Sequence, residues 1–345
     1  MATSQAPPAP RVGKEPRTGS DPARTPRKRR PRSHSEKLAG RSRLLFMPSV
    51  LASLFFVYLF IGATIYISLS NWRLGTSRDL SIREPFGATY GEIFTEQRFQ
   101  ADMRNITIFT VLFLVVAVLG GLVAALLVHH VAVGAGVFRL IFMLPYALSF
   151  IVTGVVWRWI FNPGSGVNVL LEGLGVENPP GWTTDTRVLG ALNDTTGTEF
   201  LKIELGIPVA LIPIVIGAAW QLTGFAMAIF LAGLAAIPAE YLEAAQIDGA
   251  GLWQRLRHII LPQLAPSTVT AVVLLLHVAL KIFDLVMAMS GSGPGFVTDV
   301  PGIYVYDYLT SRYDKASAAS IVMLVMTLIF VIPYLMRSYR RDKEA

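Results

Sequence analysis

The sequence contains no cysteine, and only 15% of its residues are charged. The absence of thiols excludes a disulfide scaffold, an iron–sulfur protein, a cysteine-ligated zinc site and a thiol nucleophile. No glycine–lysine pair is followed by serine or threonine, as a phosphate-binding P-loop requires, and the His-Glu-x-x-His and Gly-x-Ser-x-Gly patterns are also missing. We therefore expect no cofactor, no metal and no enzymatic activity, and any energy used must arrive through contact with another protein.

Apolar residues are present in excess. They make up 53% of the 345 residues, and the mean hydropathy is +0.52. These values exceed what a pair of soluble domains normally shows. The composition therefore predicts a membrane protein with the lipid bilayer as its solvent.

The basic residues are concentrated at the start of the chain. Residues 1–43 hold 12 of the 30 lysines and arginines together with seven prolines, and almost nothing apolar. This composition predicts a disordered tail. The basic residues could bind anionic lipid headgroups or nucleic acid. A role in holding the tail on the cytoplasmic side of the membrane is sufficient to explain them, so we expect no nucleic-acid partner.

Six apolar runs are long enough to cross a bilayer, which needs about 20 helical residues. They predict an all-α polytopic membrane protein with six transmembrane helices. Small residues at close spacing in the second and fourth runs predict close helix contacts there. The runs are residues 44–70, 106–128, 138–161, 207–236, 266–290 and 316–336.

The distribution of lysine and arginine sets the predicted orientation. The tail, the segment between spans four and five with Arg255 and Arg257, and residues 337–343 are basic. Residues 71–105 carry equal numbers of basic and acidic residues, and residues 162–206 carry two basic and six acidic residues. We therefore expect the N- and C-termini to be cytoplasmic and these two connections to lie outside.

Residues 238–262, between spans four and five, predict two short helices around a glycine turn. Pro238 suits a first helical turn, Gly249 and Gly251 permit a sharp turn, and Pro262 is expected to stop the second helix. A short amphipathic element of this kind either docks in a groove on a soluble partner or rests on the lipid interface. Composition leaves both alternatives open.

The same segment resembles the coupling motif of permease subunits in binding-protein-dependent ABC importers. That motif reads E-A-A, three residues, G, nine residues and I-x-L-P. Every spacing is kept here. The matching residues are Glu243, Ala244, Ala245, Gly249, Ile259, Leu261 and Pro262.

The resemblance implies an ABC importer permease fold over residues 44–341, followed by a C-terminal tail at 342–345, in a bacterial cytoplasmic membrane. It gives the motif residues the role of a cytoplasmic coupling helix that receives force from a dimer of ATP-binding cassette subunits. The other implied partners are a second homologous permease and an extracytoplasmic solute-binding protein. Weaker likenesses around Trp220-Gln221 and Leu280–Asp284 suggest the carbohydrate branch, of maltose or glycerol-phosphate type.

Polar groups within spans are costly and are therefore candidates for a solute pathway. His277, Lys281 and Asp284 are spaced i, i+4, i+7 along span five, which predicts one shared helix face. An internal Lys281–Asp284 pair would explain two of them without any pathway. Trp220 and Gln221 in span four are further candidates, with plain packing as the alternative.

The cargo is expected to be a sugar or related polyol. A permease for a non-sugar solute is the nearest alternative. A polytopic membrane enzyme or a non-energised channel is a more distant one.

Overall fold

The computed structural model describes residues 34–73, 79–130, 134–191 and 202–344. Within these ranges the chain is mostly helical. The helices are α1 His34–Ser68, α2 Ala88–Thr95, α3 Gln97–His130, α4 Ala135–Met143, α5 Phe150–Ile160, α6 Val167–Gly173, α7 Leu211–Ala235, α8 Ala239–Ile247, α9 Leu252–Arg255, α10 Leu261–Gln263, α11 Ala265–Ala279, α12 Asp284–Met289, α13 Pro301–Tyr308 and α14 Tyr313–Glu344.

Helix α1 begins earlier than the sequence predicted. Residues 34–43, which we expected to be disordered, belong to the same helix as the first apolar run. No proline interrupts the chain from His34 to Met47, and extending an existing helix costs far less than nucleating one. Residues 1–33 of the predicted tail lie outside the described residues.

The chain divides into two compact units, Met1–Val57 and Tyr58–Ala345. In the first unit, residues 46–57 are helical, predominantly apolar and exposed. Such a surface suits hydrocarbon, because a helix satisfies its own backbone hydrogen bonds. The second unit contains all the other described elements.

Four helices are long and apolar enough to cross a membrane: Phe46–Ser68, Gln97–His130, Leu211–Ala235 and Tyr313–Met336. They correspond to predicted spans one, two, four and six. Two further candidates are bent pairs, Ala135–Ala147 with Phe150–Ile160 at 96°, and Leu252–Gln263 with Ala265–Ala279 at 60°. The described chain thus offers four spans, or up to six if each bent pair counts as one.

Predicted span three is not one continuous helix. Helix α4 ends at Met143, a single 3-10 turn follows at Leu144–Ala147, and α5 starts after Ser149. Pro145 in that turn has no N–H to donate to the preceding turn. The Ser149 hydroxyl accepts a hydrogen bond from the Val152 N–H at 3.3 Å and so caps the new helix.

Predicted span five is also interrupted. Helix α11 ends at Ala279, Phe283 has the non-helical angles φ −140° and ψ −61°, and α12 begins at Asp284. Helix α12 packs closely on α5 at Gly154, where a Cβ would lie 2.7 Å from the Ala288 Cβ. This approach fixes α12 against its neighbour and requires glycine.

The core of the second unit is the contact between α3 and α7, with α11 packed on both. A Cβ on Gly121 of α3 would overlap the Ala226 Cβ and lie 2.9 Å from the Met227 main-chain nitrogen of α7. A Cβ on Gly224 would likewise overlap the Phe142 carbonyl oxygen. Small residues thus mark helix contacts in spans two and four, as their spacing predicted.

A small sheet lies at the end of α3 and α7 opposite residues 238–262. Its antiparallel strands are β1 Val188–Leu189 and β2 Ile207–Pro208. Predicted span four began at residue 207, but the first two residues of that run pair with β1 and α7 starts at Leu211. Pro208 occupies the terminal position of a strand, where a missing N–H is tolerated.

Candidate functional site

The predicted coupling segment begins with α8, which is exposed along most of its length. Pro238 has the extended angles φ −60° and ψ 133° and stands at the N-cap, so it precedes the first helical turn that we expected it to occupy. Glu240 lies in that turn, where a carboxylate is favoured by the helix dipole. No residue of α8 is buried.

Gly249 ends α8 in a left-handed conformation, with φ +79°. The Ala250 N–H donates to the Ala245 carbonyl at 2.8 Å, and the Gly249 N–H donates to the Gln246 carbonyl at 3.1 Å. These two bonds form a Schellman cap, which favours glycine because other residues are strained at positive φ. The chain therefore turns at Gly249, as its position in the motif predicted.

Gly251 does not share this role. Its angles, φ −67° and ψ 168°, are extended backbone that any residue adopts. The Gly251 N–H donates instead to the Gln254 Oε1 at 2.9 Å, which holds the start of α9. The sequence-based expectation that both glycines form the turn is wrong for Gly251.

Pro262 does not stop the second helix. The chain from Leu252 continues through a wide π-helical turn at Leu256–Ile260 into α10, where Pro262 lies in the first turn. The break comes at Leu264, and α11 departs at 60°. A wide turn accommodates the missing proline N–H, which would leave a gap in a regular helix.

The motif residues differ in exposure. Glu243, Ala244 and Pro262 are exposed, and Ala245 and Ile259 are half-buried. Two apolar side chains of α8 that the sequence did not single out are among the most exposed: Ile247 at 87% and Tyr241 at 56%. Large apolar groups exposed on a short polar-flanked helix are typical of a docking surface.

The polar residues of predicted span five meet at a small cavity. His277, Lys281 and Asp284 line a space of about 220 Å³ together with Phe150 and Phe283. Of the three, only His277 lies in α11, because that helix ends at Ala279. Lys281 lies in the turn that follows, and Asp284 begins α12. The prediction of one helical face is therefore wrong in its geometry, but the three side chains are brought together by the turn instead.

Lys281 and Asp284 do not form the internal pair that we considered. The Lys281 Nζ lies 3.3 Å from the His277 Nε2, and among the described residues it has no ion pair with a carboxylate. All three side chains are exposed. His277, Lys281 and Phe283 also line a second, larger cavity of about 570 Å³ against α13 and α14.

Neither Trp220 nor Gln221 is among the described residues that line these two cavities. Gln221 is buried, and its Nε2 donates to the Leu148 carbonyl at 2.7 Å. Trp220 is 42% exposed and packs edge-to-face on Trp157, with ring centroids 5.8 Å apart. Gln221 thus supports the broken helix pair α4 and α5.

A cluster of charged residues at the opposite end of the bundle was not identified from the sequence. Arg98 Nε and Nη2 each lie 2.6 Å from a carboxylate oxygen, of Asp299 and Asp307 respectively. This pairing attaches the start of α3 to the segment around α13. The many charged residues in 71–105 were the only sequence signal for this cluster. The sequence does not indicate their partners, because Asp299 and Asp307 lie 201 and 209 positions from Arg98.

The second part of this cluster centres on Glu92 of α2. Burial alone would raise the pKa of Glu92, but hydrogen bonds from Lys315, Arg83 and Arg312 lower that pKa to about 2. Lys315 also lies 3.1 Å from Glu96. The network connects α2 with the start of α14.

Comparison with known proteins agrees with this architecture. Residues 117–343 match the family model described as binding-protein-dependent transport system inner membrane component. A probable ABC transporter permease of Pyrococcus horikoshii is 33% identical over 307 residues, covering 87% of this chain and 96% of the relative. The trehalose/maltose transport system permease protein MalF of Thermococcus litoralis is 31% identical over 307 residues, covering 87% and 94%.

Two further comparisons concern another relative and a solved structure. The xylose/arabinose import permease protein XacH of Haloferax volcanii is 30% identical over 257 residues, covering 73% of this chain and 74% of the relative. The crystal structure of a bacterial ABC transporter involved in the import of the acidic polysaccharide alginate has a similar fold, with a TM-score of 0.67, 20% identity and coverage of 89% and 99%. The chain therefore belongs to the family of binding-protein-dependent transport system inner membrane components, the permeases of ABC importers.

Proposed function

We propose that this permease moves a sugar or related polyol across the cytoplasmic membrane of a bacterium, driven by ATP hydrolysis in a separate subunit. Two of the relatives are named for trehalose/maltose and xylose/arabinose transport, and the alginate importer shares the fold. The observation that carries the coupling half of the proposal is the exposed helix α8 ending at Gly249. The termini, in this proposal, are cytoplasmic.

In this proposal, residues 238–263 couple ATP hydrolysis to transport because they connect the exposed helix α8 to α11. Helix α8 would enter a cleft of the ATP-binding subunit, where Ala244 and Ala245 allow close approach and Glu243 supplies a charged contact. Gly249 then turns the chain, and the segment from Leu252 continues to α11 through only one bend. Ile259, Leu261 and Pro262 lie on this path, so displacement of α8 would reach His277 at the far end of α11.

The pathway proposal rests on the cost of exposing polar groups to hydrocarbon. His277, Lys281 and Asp284 are exposed in this chain at a level predicted to lie within the membrane, where lipid contact is unfavourable. They would face water in a translocation pathway or the second homologous permease. Hydrogen bonds from these groups suit hydroxyl-rich solutes delivered by an extracytoplasmic binding protein. Trp220 remains a candidate for stacking on a sugar ring.

The test replaces Gly249 with aspartate in a reconstituted complex containing the ATP-binding subunits, the second permease and the binding protein. ATP-dependent uptake of labelled maltose, xylose and an amino acid is measured together with ATP hydrolysis. We expect wild-type uptake of a sugar, and loss of uptake in G249D, because a side chain is strained at φ +79° and a carboxylate at the C-terminus of α8 opposes the helix dipole.

The matched control is Gly251→Asp, two residues away. Gly251 has ordinary extended angles, an added Cβ there would meet only the Gln254 Oε1 at 3.9 Å, an ordinary contact, and aspartate is favoured at an N-cap, so G251D should retain coupling. Equal transport by G249D and wild type would contradict the coupling role. Uptake of the amino acid without any sugar would contradict the cargo, and uptake by this chain alone would contradict the whole proposal.

A further inference from the structure

A groove of about 530 Å³ runs between the last turns of α3 and the segment that follows α8. Its walls are mainly apolar, with Leu126 and Leu127 on one side and Leu252 and Trp253 on the other. Leu252 is 67% exposed and Trp253 is 69% exposed. Of α8, Leu242 lines the groove, whereas the motif residues Glu243 and Ala244 do not, so a protein that contacts Glu243 and Ala244 need not fill it.

The groove lies at the boundary between hydrocarbon and water. Helix α3 has 34 residues, more than the roughly 20 that cross the hydrocarbon, and its apolar run ends just before His129 and His130. Leu126 and Leu127 therefore lie at the edge of the hydrocarbon, while the two histidines reach the headgroup level. Tryptophan is enriched at this level in membrane proteins, and Trp253 fits that position.

The polar part of the groove carries basic groups. Arg255, His129 and His130 line it, and no acidic residue does so within the described chain. The Nε of Arg255 is buried and has no hydrogen-bond partner among the described residues. A buried guanidinium nitrogen without a partner is costly, and a phosphate oxygen is a well-matched acceptor for it.

We propose that this groove binds an anionic phospholipid, with an acyl chain along Leu126, Leu127 and Leu252 and the phosphate at Arg255. The headgroup supplies the acceptor that Arg255 lacks, and the acyl chain covers apolar side chains that water would otherwise contact. The bound lipid fills the space between α3 and the segment after Gly249. This site does not depend on which solute is transported.

Trp253 provides a direct probe. The full-length chain is reconstituted into phosphatidylcholine vesicles that contain the same small fraction of either brominated phosphatidylglycerol or brominated phosphatidylcholine. Bromine quenches tryptophan on contact, and subtracting the signal of Trp253→Phe isolates Trp253 from the other five tryptophans. We expect the brominated phosphatidylglycerol to quench Trp253 more strongly than the brominated phosphatidylcholine.

Two arginine variants test the role of the headgroup. Arg255→Gln should reduce the preference for phosphatidylglycerol about fivefold, the factor expected for one basic group near anionic lipid. Arg257→Gln removes the same charge from an exposed residue that does not line the groove, and should preserve the preference. Arg255→Lys keeps the charge and should preserve most of it, so the test survives if R255Q fails to fold.

Three results would overturn the proposal. Equal quenching of Trp253 by the two brominated lipids would show that the headgroup is not recognised. An equal effect of R255Q and R257Q would show only general surface attraction. Loss of the preference when the ATP-binding subunit is added would show that a protein, and not a lipid, occupies the groove in the assembled transporter.

Discussion

The side chain of Gln221 on α7 donates a hydrogen bond to the main-chain carbonyl of Leu148, 2.7 Å away, at the break between α4 and α5. A broken helix leaves carbonyl groups without intrahelical partners, and such groups are costly in a membrane. Gln221 thus stabilises the bend in predicted span three from a neighbouring helix.

Replacing Gln221 with leucine should destabilise the protein by about 1 kcal/mol, because the loss of the Leu148 carbonyl's partner outweighs the removal of the buried Gln221 Oε1, which has no hydrogen-bond partner among the described residues. The measurement is thermal unfolding of the purified chain in detergent. Gln263→Leu is the matched control, since Gln263 is exposed. An unchanged melting temperature in Q221L would show that another group satisfies the carbonyl.

The contact between α3 and α7 predicts opposite outcomes at adjacent glycines. Gly121→Ala should destabilise the protein by about 1–3 kcal/mol, because its Cβ would overlap Ala226. At Gly120 the nearest atoms are those of Thr223 at 3.4 Å, so Gly120→Ala should be neutral or stabilising through helix propensity. Thermal unfolding of the two variants makes the comparison, and equal effects would contradict the packing described here.

Glu92 predicts a dependence of stability on pH. Its pKa is lowered from 4.5 to about 2 by Lys315, Arg83 and Arg312. A lowered pKa in the folded state stabilises the protein above pH 4.5, and this contribution is lost as the pH falls toward about 2. Glu92→Gln should therefore lower the melting temperature at neutral pH.

The pH series supplies the decisive comparison. The difference in melting temperature between wild type and E92Q should shrink as the pH falls from 4.5 toward 2. Glu177→Gln serves as the control, because Glu177 is exposed and has no ion pair among the described residues. A difference that stays constant across this range would exclude the ionised Glu92 as its cause.

The long apolar runs and the motif around Gly249 could be read from the sequence, because each depends on local composition and spacing. The interruptions of spans three and five could not be placed this way, since hydropathy is similar for a continuous and a broken helix. Pro145 offered a local signal for the first interruption. For the second, residues 280–283 contain neither proline nor glycine, and packing of α12 on Gly154 holds the new direction.

The charged cluster at the opposite end shows the same limit. Arg98 and Asp299 are separated by 201 positions, and a single sequence does not pair distant charges. Similarly, the 20-residue pattern from Glu243 to Pro262 predicts a coupling segment but not the exposure of Ile247 or the wide turn that follows. The exposure of Ile247 and the wide turn depend on how the segment packs against the helix bundle.

The wide turn at Leu256–Ile260 adds one residue relative to regular α-helical winding. Each residue of an α-helix advances the side-chain direction by about 100°, so the extra residue rotates the side chains of Leu261–Gln263 relative to regular winding, up to the break at Leu264. Deleting one residue within Leu256–Ile260 would reverse this rotation and change the face that α10 presents where it meets α11.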